Sequence, residues 1–192
     1  PETPATNQIN DTAAASNLAT VRLIVNPIAD APTLVITDHT GESKEIFRTR
    51  WESVANKNHT STLVQDKRLD GWTLITRPDA SSGGSNGFEI WSTGDQMTDP
   101  QNKPHTVSAM PGNGNHWLEL NNAGGKLQQT LGIERTVDTV AGATYTLSLD
   151  LAGRLGYSAD YTQIGTLIDG VRIGDAASTS SVSQLNWQTR TF

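Results

Sequence analysis

The sequence contains no cysteine, and this absence excludes several kinds of site. A disulfide framework, a zinc site with thiolate ligands and a cysteine nucleophile are all impossible. Basic residues are also few, with 14 lysines and arginines against 20 aspartates and glutamates, so the net charge is −6. No basic stripe runs along the chain, and we therefore expect no nucleic-acid partner.

Long hydrophobic runs are absent as well. No stretch approaches the roughly 18 apolar residues that a membrane-spanning helix needs, and no basic region precedes a short apolar one as in an export signal. We therefore expect no membrane insertion and place any export signal outside this sequence.

The sequence also shows no recognisable catalytic machinery. The four histidines are scattered and form no His-Glu-x-x-His pair, and there is no Gly-x-Ser-x-Gly elbow. Glu89 and Glu119 are a pair that could serve a glycosidase. Strand alternation puts both glutamates on an open sheet face, where no burial would raise a catalytic pKa, so we expect no enzyme.

The abundant residues favour strands and turns, because Gly, Ser, Thr, Asn and Asp separate short apolar runs. Strands are predicted near residues 46–54, 72–77, 87–92, 116–121, 126–131, 144–151, 163–173 and 186–192. This spacing predicts an all-β fold, an antiparallel β-sandwich of jelly-roll type. The long irregular stretch 93–115 is expected to form a binding rim or to hold an ion.

The N-terminal segment is punctuated differently from the rest. Residues 18–25 alternate as a strand, and Pro27 and Pro32 then fix the backbone. The segment resembles the last strand and linker of an immunoglobulin-like or cadherin-like repeat in a bacterial adhesin, with an ordinary edge strand as the alternative. We therefore divide the chain into residues 1–35 and a sandwich domain of residues 36–192. Because its strand edges are unpaired, we expect the segment to pack on the main domain or on a neighbouring molecule.

The remainder of the chain carries an order of motifs that resembles a known fold. The motifs are Gly71-Trp72, Gly87-Phe88-Glu89-Ile90-Trp91, Trp117-Leu118-Glu119-Leu120-Asn121, Leu149-Asp150-Leu151-Ala152-Gly153-Arg154 and Asp169-Gly170-Val171. This order is similar to that of the galactose-binding-like jelly rolls of carbohydrate-binding modules and of large RTX-type surface adhesins. The resemblance also implies further strands, so the sandwich is predicted to lack its final strands through truncation or because the domain is split.

Alternation sorts the side chains of neighbouring strands into two faces. Leu118 and Ile90 face the predicted core, so the residues beside them share the outer face. The predicted ligand-binding residues are Glu89, Trp91, Glu119, Asn121 and, at the rim, Arg154. Aromatic rings beside carboxylates and amides suit a sugar or an apolar side chain.

The tryptophans leave an alternative open at this site. Trp91 or Trp117 could instead be packed beneath the long loop, because tryptophan is buried on average. For Trp72 and Trp187 the sequence favours positions in the core.

Oxygen ligands near the long loop predict a calcium ion. Asp95, Asp99 and Asn102 lie in the loop, and Glu52 lies near the start of the domain. Calcium takes about six to eight oxygens, so a loop rich in Asp and Asn suits it, although no EF-hand run is present. The resemblance adds to this expectation, since such folds commonly hold a structural calcium.

Together these features predict a secreted, non-catalytic recognition module on the bacterial cell surface. It would bind a carbohydrate or a short peptide on a host or neighbouring cell with the help of calcium, and it would contact neighbouring adhesin domains. The alternative is a structural spacer of the adhesin stalk without a ligand of its own.

Overall fold

The computed structural model describes residues 17–25, 28–37, 43–54, 59–76, 87–120, 130–140 and 143–192. Within these ranges the chain is all-β, which confirms the predicted antiparallel β-sandwich, and no helix there is long and apolar enough to cross a membrane. The strands are β1 Asn17–Val25, β2 Ile28–Thr37, β3 Ser43–Arg48, β4 Thr62–Val64, β5 Arg68–Leu69, β6 Trp72–Thr76, β7 Phe88–Ser92, β8 Gln96–Thr98, β9 Pro104–Thr106, β10 His116–Glu119, β11 Thr130–Thr139, β12 Thr144–Gly153, β13 Gln163–Ile168, β14 Val171–Ala177 and β15 Gln188–Thr191.

Two large sheets share these strands. The first has the order β14-β13-β1-β11-β6-β5, and the second has the order β15-β12-β2-β10-β7-β4 with β3 beside β2. The strand pairs within both sheets are antiparallel. The jelly-roll connectivity and the missing final strands stay predictions.

The N-terminal strands are central members of the two sheets. β1 pairs with β11 on one side and with β13 on the other, and β2 lies between β12 and β10. The pairing therefore does not follow the predicted division at residue 35, because residues 17–37 supply an interior strand to each sheet. The expectation that this segment packs on the main domain is confirmed. Residues 1–16 lie outside the described residues.

The main core lies between the sheets and follows from strand alternation. Ile90 and Leu118 are buried in it, as are alternate residues of β12. Trp72 is fully buried, as the sequence predicts, and its indole N–H donates to Thr49 Oγ1 over 2.9 Å. The Phe47 ring meets the Trp72 ring edge-on, with 5.6 Å between centroids.

Some predicted strand limits are wrong. The predicted strand 163–173 is the hairpin β13–β14, whose turn is Asp169 and Gly170, both with positive φ. Such Asp-Gly pairs suit tight hairpin turns because both central residues need positive φ. The predicted strand 46–54 ends at Arg48 instead, and the loop 93–115 contains the hairpin β8–β9.

The pairing of β1 on both edges leads to a backbone test. Leu23 lies opposite Ile133 on β11 and Thr166 on β13. Proline at this position would remove the N–H and fit poorly in an interior strand. We expect Leu23→Pro to abolish the cooperative melting transition, whereas Leu23→Val, which keeps the N–H, should retain it. A Leu23→Pro protein that melts like the parent would show that residues 17–25 do not belong to the sheet.

Candidate functional site

The outer face of the seven-stranded sheet is covered by a second apolar cluster. Trp91 on β7 lies directly opposite Trp117 on β10, and both rings are almost completely buried. Two segments lie over them, residues 93–115 and residues 178–187, which we call the cover. The cover contributes Met97, Val107 and Leu185 to this cluster, with Ala109 and Trp187 packed against it. The predicted sorting of faces is therefore confirmed. The exposure predicted for Trp91 is wrong, and the alternative left open by the sequence, packing of Trp91 and Trp117 beneath the long loop, is confirmed.

Carboxylates hold the first segment of the cover in place. Asp95 accepts a hydrogen bond from the Ser92 N–H over 2.7 Å. Asp99 accepts from the N–H groups of Gln101 and Lys103, and its other oxygen lies 3.0 Å from His105 Nε2. The contact with His105 and these backbone donors hold the pKa of Asp99 below its usual range.

Glu52 fastens the far end of the same segment. Its carboxylate accepts hydrogen bonds from the Asn115 N–H and the His116 N–H, and it lies 2.7 Å from His116 Nδ1. Burial opposes ionisation of Glu52, but these contacts together keep its pKa below the usual range.

The predicted calcium ligands do not converge on one place. Asp95, Asp99 and Glu52 each accept from N–H donors at different points of the cover, and Asn102 occupies a turn position with a φ of 61°. N–H groups directed at a carboxylate compete with a cation for its oxygens. In the described part of the chain, no three His, Asp or Glu side chains form a group that could hold a metal ion. Calcium binding stays a prediction from the sequence.

The second segment of the cover lies against the end of β12. Gly153 leaves room for it, since a Cβ at Gly153 would lie 2.3 Å from the Ser178 carbonyl oxygen. The Trp187 ring meets the Trp117 ring edge-on at 5.8 Å, and its indole N–H donates to the Ser108 carbonyl over 2.9 Å. Trp187 therefore ties the two segments of the cover together. The sequence favoured a core position for it, whereas the structure leaves it only partly buried.

Two carboxylates lie beside the tryptophans on the same face of the sheet. Glu89 on β7 lies directly opposite Glu119 on β10. Glu119 is buried and forms an ion pair with Arg154, whereas Glu89 accepts a hydrogen bond from Ser61 over 2.8 Å. Arg154 thus binds a carboxylate of its own chain instead of offering itself to a ligand.

Burial dominates the electrostatics of this pair. It raises the pKa of Glu89 to about 7, the negative charge of Glu119 adds to the rise, and Ser61 and Arg154 oppose it. Burial also raises the pKa of Glu119 against the effect of Arg154. The expectation that both glutamates lie on an open face is therefore wrong, and the argument against catalysis from unraised pKa values no longer holds; the absence of catalysis stays a prediction.

Three buried polar atoms on this face have no hydrogen-bond partner in the described part of the chain: Trp91 Nε1, Trp117 Nε1 and Glu119 Oε2. The Trp91 N–H favours the ionised forms of both glutamates without reaching hydrogen-bond geometry with either. Atoms of this kind are ordinarily satisfied by enclosed water. Asn121, the remaining predicted ligand-binding residue, lies outside the described residues.

The opening on this side of the molecule is a cleft in the cover itself. It measures about 540 Å³ and lies between residues 106–111 and 183–187. The cleft has apolar and polar lining residues in similar number. The apolar ones are Val107, Ala109, Pro111, Leu185 and Trp187, and the polar ones are Thr106, Ser108, Ser183 and Gln184. Among the described residues no charged side chain lines it, and neither Glu89 nor Glu119 reaches it. We call it the Trp187 cleft.

Comparisons of the chain with protein-family models, with curated proteins and with solved structures found no match. The resemblance to galactose-binding-like domains of surface adhesins stays a prediction from the sequence motifs. The proposed function therefore rests on the lining of the Trp187 cleft and on the buried side chains beside it.

Replacing Trp91 tests whether the cover excludes solvent from the outer face. Trp91 is 5% exposed and packs in the second cluster. We expect Trp91→Ala to lower the free energy of unfolding by about 3 to 5 kcal/mol, the usual cost of emptying a buried aromatic site. The matched control is Tyr161→Ala, since Tyr161 is 63% exposed and its loss should cost little. Equal denaturation midpoints for the parent and Trp91→Ala would contradict burial of this ring.

The buried carboxylates make stability depend on pH. The unfolded chain loses the Glu89 proton near pH 4.5, whereas the folded chain keeps it until about pH 7. The folded state therefore holds more protons in that window, so stability falls as the pH rises through it. The expected loss is on the order of 2 to 3 kcal/mol between about pH 5 and about pH 8.

Glu89→Gln isolates this contribution, because an amide cannot ionise. We expect urea denaturation of Glu89→Gln to show most of the pH dependence removed and higher stability than the parent at about pH 8. The control is Glu45→Gln, whose carboxylate is exposed and paired with Arg48. A parent chain whose stability rises across the same pH range would contradict a buried, protonated Glu89.

Proposed function

We propose that the chain is a non-catalytic, extracellular recognition domain that binds a carbohydrate in the Trp187 cleft. The observation that carries this proposal is the partly exposed Trp187 ring, which is held at a fixed angle. Its edge packs on Trp117, and its N–H is bonded to the Ser108 carbonyl. A ring fixed in this way offers apolar surface to a sugar without losing conformational entropy on binding.

The lining of the cleft favours a neutral sugar over a peptide end. Hydroxyls and one amide lie among the residues around the ring, and in the part of the chain that the structure describes no charged side chain of the cleft can pair with a terminal ammonium or carboxylate group. Hydroxyl and amide groups both donate and accept hydrogen bonds, as the hydroxyls of a sugar require. The volume of about 540 Å³ is also in the ordinary range for small-ligand sites.

The sequence motifs are the basis for proposing where the domain is found. We place the domain on the surface of a bacterial cell, as part of a larger RTX-type adhesin with calcium as an auxiliary ion. A spacer domain without a ligand is the competing function, and it gives no reason for a partly exposed tryptophan between polar walls.

A glycan array, run in millimolar calcium and again with a chelator, identifies the sugar and tests the role of calcium. Binding of the recovered glycan is then measured for the parent, Trp187→Ala and Gln184→Ala. We expect Trp187→Ala to weaken binding about tenfold or more and Gln184→Ala to weaken it severalfold, as for central contact residues. Tyr161→Ala removes an exposed ring elsewhere and should bind like the parent.

Stability is measured on the same variants, because Trp187 also covers Trp117. Gln184 is exposed, so Gln184→Ala keeps the test valid even if Trp187→Ala unfolds. An array without any bound glycan would favour the spacer. Unchanged binding by both cleft variants would place the site elsewhere.

A further inference from the structure

A second groove, of about 730 Å³, lies apart from the Trp187 cleft and shares no lining residue with it. It is formed by residues 45–53, by the turn at Asp70 and by Arg135 on β11. The φ of 50° at Asp70 belongs to the ordinary Asp70-Gly71 hairpin turn between β5 and β6, whereas Trp51 lines the groove with a φ of 59°. Residues other than glycine rarely adopt such angles, and strain of this kind is concentrated at functional sites.

Arg135 is held rigidly in this groove. Its guanidinium lies 4.3 Å from the centre of the Phe47 ring, and its Nη1 donates to the Asp70 carbonyl over 3.0 Å. Gly71 leaves the space that the guanidinium needs, since a Cβ at that position would lie 2.9 Å from it. Stacking and one hydrogen bond thus fix the plane of the guanidinium, and its other N–H donors have no hydrogen-bond partner among the described residues.

The acidic and basic side chains of the groove differ in whether they have close partners. Glu45 is paired with Arg48, Glu52 is bound to His116, and Asp70 accepts a hydrogen bond from Ser53. Within the described ranges, neither Arg50 nor Arg135 has a carboxylate within ion-pair distance. The three carboxylates thus have closer partners. Asp70 still attracts Arg135, and Glu45 still attracts Arg50, but neither carboxylate forms an ion pair with that arginine.

We propose that this groove binds the oxyanion of an acidic ligand, a carboxylate or a sulfate, through Arg50 and Arg135, and acidic saccharides serve as its probes below. A guanidinium presents two parallel N–H donors that match two oxygens of either group. Arg135 supplies the fixed fork, and exposed Arg50 closes on the same oxyanion. The net charge of −6 opposes long-range attraction, so binding depends on short-range pairing and falls with added salt. The site is independent of the Trp187 cleft.

The test uses the full chain and three defined tetrasaccharides, measured by calorimetry at low salt. An alginate tetrasaccharide carries carboxylates alone, a heparin-derived one carries sulfates as well, and maltotetraose is neutral. We expect one or both acidic probes to bind, and Arg50→Gln to weaken that binding about tenfold. Which acidic probe binds identifies the oxyanion.

Matched variants distinguish binding in the groove from an effect of net charge and from binding in the Trp187 cleft. Arg172→Gln removes the same charge at an edge strand, where Arg172 is paired with Asp175, and should change binding by less than about twofold. Trp187→Ala should leave binding of the acidic probe intact. Absence of binding by both acidic probes would overturn the proposal, and so would equal binding by Arg50→Gln and the parent. Neither result would bear on the neutral-sugar cleft.

Discussion

Burial of the seven-stranded sheet on both faces is the constraint on which the rest of the structure depends. One face packs against the other sheet through residues such as Ile90 and Leu118. The opposite face carries Trp91 and Trp117, which need a second apolar layer, and the cover supplies it. Polar groups between these layers lose water, so the cover also determines their chemistry.

The carboxylates illustrate this dependence in two ways. Asp95, Asp99 and Glu52 accept hydrogen bonds from backbone N–H groups, and Asp99 and Glu52 also contact histidines. These contacts hold the cover in place. Glu119 is buried and paired with Arg154, and the half-buried Glu89 lies opposite it on the neighbouring strand, so Glu89 keeps its proton up to about pH 7. In the structure these acidic residues make contacts that hold the fold together. Of the five tryptophans, Trp187 on the outer side of the cover is the one that stays partly exposed.

Local sequence pattern predicted the strands and their faces, but not how deeply the outer face is buried. Period-two alternation placed Leu118 and Trp117 on opposite sides correctly, because side-chain direction depends only on neighbouring residues. Whether Trp91 is exposed depends on segments 93–115 and 178–187, which reach it only in the folded chain. Long-range contacts also determine the role of residues 17–37, which the sequence did not predict. The two prolines suggested a domain junction, but pairing with distant strands makes β1 and β2 interior strands of the sheets. Trp187 carried no distinguishing signal in the sequence.

The most direct measurement of the central claim is the shift of the five tryptophan indole resonances when the glycan found on the array is added to ¹⁵N-labelled protein. Four of the five rings, Trp51, Trp72, Trp91 and Trp117, lie in the cores, and Trp187 lies at the cleft. We therefore expect the Trp187 indole signal and the backbone amides of 106–110 and 183–187 to shift when the ligand is added. Shifts centred on Glu89, Trp91 and Glu119, with Trp187 unaffected, would contradict binding in the Trp187 cleft.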